Sequence, residues 1–345
     1  MPPTVLPPEW APQSGVIITW PHAHSDWSDV LQEVEPVYLQ LARHITRREK
    51  LLINCWDETH AAHVRERLHT ADVDLHRTIL HCVPSNDTWT RDYGPLTVME
   101  QGRPYLLDFT FNGWGNKFDA ALDNQVSRRL HQAGMFGATP FTTVDLVLEG
   151  GSIDVDGQGS LLTTENCLLA PTRNPALSRA QLEELLRRWF GAERILWLSH
   201  GHLVGDDTDS HIDTLARFCD PHTIAYVACD DPKDEHYAEL QQMEAELRAL
   251  RDHQGNPDRL VPLPWPAAKF DKEDGRRLAA SYANFLIING AVLVPTYDDP
   301  ADGETLRLLQ GCFPDHELIG VPCLPLIRQN GSLHCITMQL PAGVL

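Results

Sequence analysis

Several things are scarce in these 345 residues, and each scarcity removes a class of protein. No stretch approaches the ~18 apolar residues of a membrane-spanning helix. The opening MPPTVLPPEW lacks a basic segment followed by an apolar one, so no secretory signal is expected. Eight cysteines are present, at 55, 82, 167, 219, 229, 312, 323 and 335, yet no two stand in C-x-x-C spacing. A zinc ribbon and a thioredoxin-type pair both fall away. Most of the eight have apolar neighbours, as in LLINCW, ILHCVP and IAYVAC, and read as small buried hydrophobes. Basic residues are few, 28 against 48 acidic ones, for a net charge of -20. Such a surface repels nucleic acids and anionic membranes and draws in small cations, besides favouring solubility. The expectation is a soluble cytoplasmic protein with reduced thiols.

A linker is also missing. The 22 glycines and 25 prolines are spread along the chain, and no composition shift marks a boundary, so one domain spanning 1–345 is expected. Length alone would allow two domains of about 150 residues. Short β-rich runs recur at Gly15–Thr19, Leu51–Cys55, Thr78–Val83, Pro104–Asp108, Val144–Leu148, Cys167–Ala170, Arg194–Leu198, Thr223–Ala228, Phe285–Ile288, Val292–Pro295 and Leu318–Pro322. Between them, helical spacing marks Val30–Arg47, Ser178–Phe190, Glu235–Arg251 and Gly303–Gln310. Ser178 with Gln181 forms a capping-box pattern, and Gly191 is placed to end that helix. The alternation predicts the α/β class.

Four segments gather polar residues in a way a plain core would not: DTWTRDYGP (87–95), LEGGSIDVDGQG (148–159), GDDTDSHIDTLARF (205–218) and NGSLHCITMQLP (330–341). If His211-Ile-Asp213 is extended, both polar side chains share one face, and a histidine beside a carboxylate can shuttle protons near neutral pH. A surface pair explains the same spacing. Cys335 follows the Asn330-Gly331 turn, at the mouth of a strand where a ligand can reach it; burial as a structural thiol is the plainer reading. Asp92 precedes Tyr93-Gly94-Pro95, and Trp89, three residues earlier, can offer an aromatic face to a cation. Glu149 leads Gly150-Gly151, where backbone can approach closely.

The segments WTRDYGP, EGGSIDVDG, TENCLLAPTRNP, GDDTDSHIDTLARF and HCIT closely resemble those of the agmatine deiminase and bacterial peptidylarginine deiminase family, within the pentein group of guanidine-modifying enzymes. The matches run in order from Trp20-Pro21 to the C-terminal HCIT. The resemblance implies a five-bladed, pseudo-fivefold α/β propeller of ββαβ units around a central site, about 69 residues for each unit of the 345. It implies Cys335 as nucleophile, His211 as proton shuttle, Asp92 and Asp213 as guanidinium-binding carboxylates, and Glu149 as the group that orients His211. It implies a small cationic guanidine as substrate, agmatine first, with N-carbamoylputrescine and ammonia as products and no metal or cofactor.

The chemistry asks for such a set. A guanidinium is strongly basic, roughly 12.5–13.8 for arginine, so paired carboxylates can bind it charged and hold its carbon against sulfur. Asp206, Asp207 and Asp209 are candidates for the distal ammonium of agmatine, and Trp89 for its alkyl chain or cation. Arg328 would bind a substrate carboxylate, favouring free or peptide C-terminal arginine, or is a solvated loop residue. Two departures bear on substrate: Asn-Gly-Ser-Leu-His-Cys stands in place of a glycine-rich run, and Thr-Asp-Ser-His in place of Asn-Gly-His. A metal-dependent hydrolase is the rival of another class, with His200, His202, Asp206, Asp207, Asp209, His211 and Asp213, or His22, His24 and Asp26, as ligands. It would leave Cys335 and Glu149 unused. An amidinotransferase or dimethylarginine hydrolase, a silent guanidine binder of the same fold, and assembly into a homo-oligomer are also compatible.

Overall fold

The computed structural model describes residues 4–345. Five of its sheets repeat one pattern: two antiparallel strands, then a helix, then a strand parallel to the second. In chain order the second to fifth of these sheets contain Leu96–Glu100, Arg103–Thr110 and Phe141–Val147; Ile153–Val155, Ser160–Thr164 and Arg194–Leu198; Ala216–Asp220, Thr223–Val227 and Arg259–Leu263; and Leu286–Ile288, Ala291–Thr296 and Glu317–Pro322. The first is built from both ends of the chain. Thr337–Pro341 pairs antiparallel with Gln13–Thr19, which pairs in parallel with Lys50–Cys55 and through it with Thr78–Cys82. The protein is a mixed α/β fold, as the alternation predicted.

Local chemistry explains the elements. Gln13–Thr19 and Lys50–Cys55 are central strands covered on both faces, hence the nearly unbroken runs Val16-Ile17-Ile18 and Leu51-Leu52-Ile53, all fully buried. Leu31–Thr46 lays Val34, Tyr38, Leu41 and Ile45 inward at helical spacing. Arg179–Phe190 begins with the expected capping box, Ser178 and Gln181 bonding each other's backbone N–H, and ends at Gly191 in the left-handed region, φ +68°. A side chain at Gly191 would also collide with the Thr4 carbonyl.

Two expectations fail for local reasons. Cys167–Ala170 is not a strand. Thr164 caps the Cys167 N–H, and Glu165–Leu168 turns into a short helix. His211-Ile-Asp213 is not extended either: Ile212–Thr214 forms a tight 3₁₀ turn, with the Thr214 hydroxyl and N–H both donating to the His211 carbonyl. The alternating pattern becomes strand only from Ala216. The helix Glu58–Thr70 was not anticipated because only Ala61, Val64 and Leu68 mark its buried side.

Replacing Ser178 with Ala should cost about 1 kcal/mol, since an N-cap acceptor is lost from an exposed helix end. Chemical denaturation should show a lower midpoint at unchanged slope, and an unshifted midpoint would show that the box adds nothing.

Candidate active site

The polar segments lie on the turns that join one sheet to the next. Trp89–Gly94 links the first sheet to the second, Glu149–Ser152 the second to the third, and His211–Thr214 the third to the fourth. Ser281–Asn284 precedes the fifth sheet, and Ser332–Ile336 leads back into the first. These turns converge. The Asp92 turn packs on Gly150–Ser152, which packs on Ile212–Thr214, and the Arg91 N–H donates to the Cys335 carbonyl at 3.1 Å.

Gly151 sits at the meeting point. A Cβ there would stand 2.7 Å from His211 Nδ1, 2.9 Å from Asp92 Oδ1 and 3.0 Å from Asp213 Oδ2. Only a residue without a side chain lets these three groups approach one another, and the Gly151 N–H itself donates to Asp92 Oδ1 at 3.0 Å. The other Asp92 oxygen accepts from the Trp114 indole at 2.9 Å. Trp114 reaches it from a tightly coiled segment in which Gly113, Trp114, Gly115 and Asn116 all have positive φ. Asp213 Oδ2 accepts from His334 Nδ1 at 2.8 Å, and the Cys335 thiol lies 3.6 Å from the same oxygen. Asp213 Oδ1 is buried without a partner. Asn284 donates its amide to Cys335 Sγ at 3.2 Å.

His211 is fully buried, with Nδ1 3.6 Å from Asp92 Oδ1 and neither ring nitrogen hydrogen-bonded. Its Glu149 neighbour is held from behind by Arg173 Nε at 3.0 Å, which leaves Glu149 Oε2 buried and unpaired. Ligand atoms of Glu149, Cys167 and His211 lie within 4.8 Å of one another, the one such trio among the described residues. The histidine–aspartate sets proposed as metal ligands, His200 to Asp213 and His22 to Asp26, are not brought together as ligand clusters. His200 instead faces Glu246 at 2.7 Å, and His22 contacts Ser85 at 3.2 Å.

Charge shapes the site. Burial pushes Asp92 up to about 6, with Asp213 adding to the rise and His211 and the Trp114 bond restraining it. Burial acts on Asp213 in the same direction, but the bond and charge of His334, with His211 and Arg217, hold it below the ordinary carboxylate value. Burial opposes the charged form of His211, yet Asp92, Cys167 and Glu149 carry its pKa well above that of a free histidine. Burial, then Asp213 and Asp92, push the Cys335 thiol well above its usual value.

Asp92, Trp114 and Cys335 form part of the wall of a cavity of about 320 Å³. Asp26, Asp87, Asp119, Asp123, Asp207 and Trp89 line the remainder with small polar groups, and no lysine or arginine is among the lining residues described. Trp89 packs 5.7 Å from Trp27 and is held by Gly331, where any Cβ would strike its ring. Asp207 reaches the cavity and accepts from Asn330 Nδ2 at 2.7 Å. Asp206 turns inward on its own loop, accepting from Thr208 and Ser210. Asp209 is not brought to the cavity wall; its carboxylate is taken by Lys117 at 2.7 Å and by Arg173. Arg328 is also away from it, paired with Glu33, Asp271 and Glu273. Sequence reasoning missed Asn284, Trp114, Arg173, Cys167 and His334. His334, beside Cys335, and Cys167 and Arg173, within TENCLLAPTRNP, lay in segments already singled out, whereas Asn284 and Trp114 carried no local signal.

The sequence pattern of the Porphyromonas-type peptidyl-arginine deiminase family matches residues 5–341. The chain belongs to this family. An agmatine deiminase of Stutzerimonas stutzeri is 36% identical, covering 98% of this chain and 95% of its own. A C. jejuni agmatine deiminase solved with substrate bound has a TM-score of 0.91 and 38% identity, over 99% of this chain and 97% of that one. A Porphyromonas gingivalis protein provisionally named an arginine deiminase has a TM-score of 0.92 and 50% identity over 99% of both chains. An amidinotransferase from Microseira wollei, 12% identical with a TM-score of 0.53 over 98% and 97%, shares the fold alone.

Gly151→Ala should lower turnover of a guanidine substrate about 100-fold through displacement of the groups around it, while the circular-dichroism spectrum stays native. Full activity in this variant would show that the three side chains do not need their present approach.

Proposed function

We propose that this chain hydrolyses agmatine to N-carbamoylputrescine and ammonia, with Cys335 as the nucleophile. The observation that carries the reading is a thiol beside two buried carboxylates, on the wall of a cavity lined by aspartates and by no described cation. Similarity to agmatine deiminases over nearly the whole chain supports the same substrate. The placement of Arg328, paired with three carboxylates away from the cavity, favours a substrate without a carboxylate over arginine. Asp207 and Trp89 are the proposed contacts for the distal ammonium and the alkyl chain.

Before substrate binds, the thiol resists ionisation, because burial and two neighbouring carboxylates all oppose a third anion. A guanidinium between Asp92 and Asp213 reverses that balance, so the thiol releases its proton to solvent as the cation binds and leaves the thiolate. Sulfur then adds to the guanidinium carbon, giving a neutral tetrahedral adduct. His211, held protonated by its anionic neighbours, gives a proton to one amino group, and ammonia leaves with rupture of its C–N bond. The S-alkylthiouronium that remains is attacked by water, which loses a proton to the now neutral His211. Collapse breaks the C–S bond and returns the ureido product and the thiol group. Glu149, fixed by Arg173, keeps the imidazole in place through this exchange.

We further infer a single domain in which the five sheets form a five-bladed propeller of pentein type, with this site at its centre. The repeated strand–strand–helix–strand unit and the location of the site residues on inter-sheet turns support it. All eight cysteines are free, which accords with a reducing cytoplasm. No helix among the described residues is long and apolar enough to cross a membrane.

Ammonia release should be measured from agmatine, arginine and an arginine peptide with wild type and Cys335→Ser. Agmatine-selective release that vanishes in the variant is expected; release from arginine or peptide would change the substrate, and activity surviving in the variant would remove the nucleophile. In wild type, kcat/KM should fall as pH drops below about 6, where Asp92 takes up a proton and loses its hold on the cation. Trp114→Phe removes a bond that favours ionised Asp92, so this acidic limb should move to higher pH. An unmoved limb would mean that another group sets it.

A further inference from the structure

His334 is buried between two carboxylates and has no place in the reaction described above. Its Nδ1 lies 2.8 Å from Asp213 Oδ2, and its Nε2 lies 2.8 Å from Glu9 Oε1. Each contact needs a proton on its line, whereas a neutral imidazole supplies one. Burial, with Arg217 and Arg91, works against a second proton on the ring, while Glu9 and the Asp213 bond favour one. Glu9 is fixed in turn by Arg91 Nη1 at 3.2 Å, by Gln339 Nε2 at 2.8 Å and by Arg217. Arg217 is anchored to Asp154 at 3.2 Å. The His334 backbone is fixed as well, its N–H donating to Asn284 Oδ1 at 2.9 Å.

The consequence falls on Asp213. One of its oxygens is occupied by His334, and the other, Oδ1, is buried without a partner. A carboxylate tied at one oxygen cannot rotate its free oxygen out of position without breaking that bond. We propose that His334 is a positioning residue, clamped by Glu9, which fixes Asp213 so that its free oxygen meets the guanidinium beside Cys335. This rests on the reading of the cavity as a guanidine site.

The two amides that mimic one ring nitrogen each provide the test. In His334→Asn the amide nitrogen stands where Nδ1 stood and can still donate to Asp213; in His334→Gln it reaches the place of Nε2 and serves Glu9 instead. Loss of a hydrogen bond to a charged group should raise KM for agmatine about tenfold or more in His334→Gln, with kcat falling less, while His334→Asn stays within about threefold of wild type. A residue that only supports the fold would give no such split. Equal KM values in the two variants, or the better binding in His334→Gln, would overturn the proposal while agmatine turnover stands. No turnover of any guanidine by wild type would overturn the guanidine reading and this inference with it. If either variant fails to fold, the ring ¹⁵N resonances of wild-type His334 decide: a protonated Nδ1 is required, and an unprotonated one refutes the clamp.

Discussion

Asp92 and Asp213 lie around one glycine, both out of water, and each raises the free energy of charge on the other. Two such anions endure only where something positive faces them. His211 supplies charge beside Asp92, and His334 supplies a hydrogen bond to Asp213. Much of the architecture serves the same balance. Gly151 leaves room for the approach, Trp114 donates to Asp92, and Arg173 restrains Glu149 so that it faces His211 rather than adding a third loose anion. The thiol shares this field, which opposes its ionisation.

Behind the site the compensation continues through a largely buried ionic layer. Glu9 comes from the N-terminal segment, Arg91 from the turn that carries Asp92, Arg217 from the strand after Asp213, and Asp154 from the strand after Gly151. Buried charges of this kind contribute little net stability, because desolvation offsets most of their attraction. Their strength lies in geometry: each arginine meets its carboxylates in one arrangement of its neighbours, so the turns that bear the proposed catalytic groups are tied to one another.

Where one residue type leaves few options, the sequence was readable. The unbroken apolar runs of Val16–Ile18 and Leu51–Ile53, the Ser178/Gln181 box and Gly191 all specify their structures locally. Asp92, Asp213, Cys335, Glu149 and His211 were singled out through their family resemblance, and the fold gathers them on neighbouring turns. The wrong details were those decided by a competing local bond, Thr164 capping Cys167 and Thr214 drawing His211 into a turn. Asn284 and Trp114 were illegible because their importance comes from long-range contact alone, with Cys335 and with Asp92. Asp209 misled by proximity in sequence; two cations claim it in space.

The strand Thr337–Pro341 is the last element of the chain and pairs with one of the earliest, Gln13–Thr19. Cys335 stands two residues before it, and Glu9 four residues before its partner. The aspartates of the cavity, from Asp26 to Asp207, are therefore synthesised well before its sulfur. The first sheet waits with an open edge, and the acidic cavity waits without its thiol. Closing the first sheet with Thr337–Pro341 and bringing Cys335 to the cavity wall are one event.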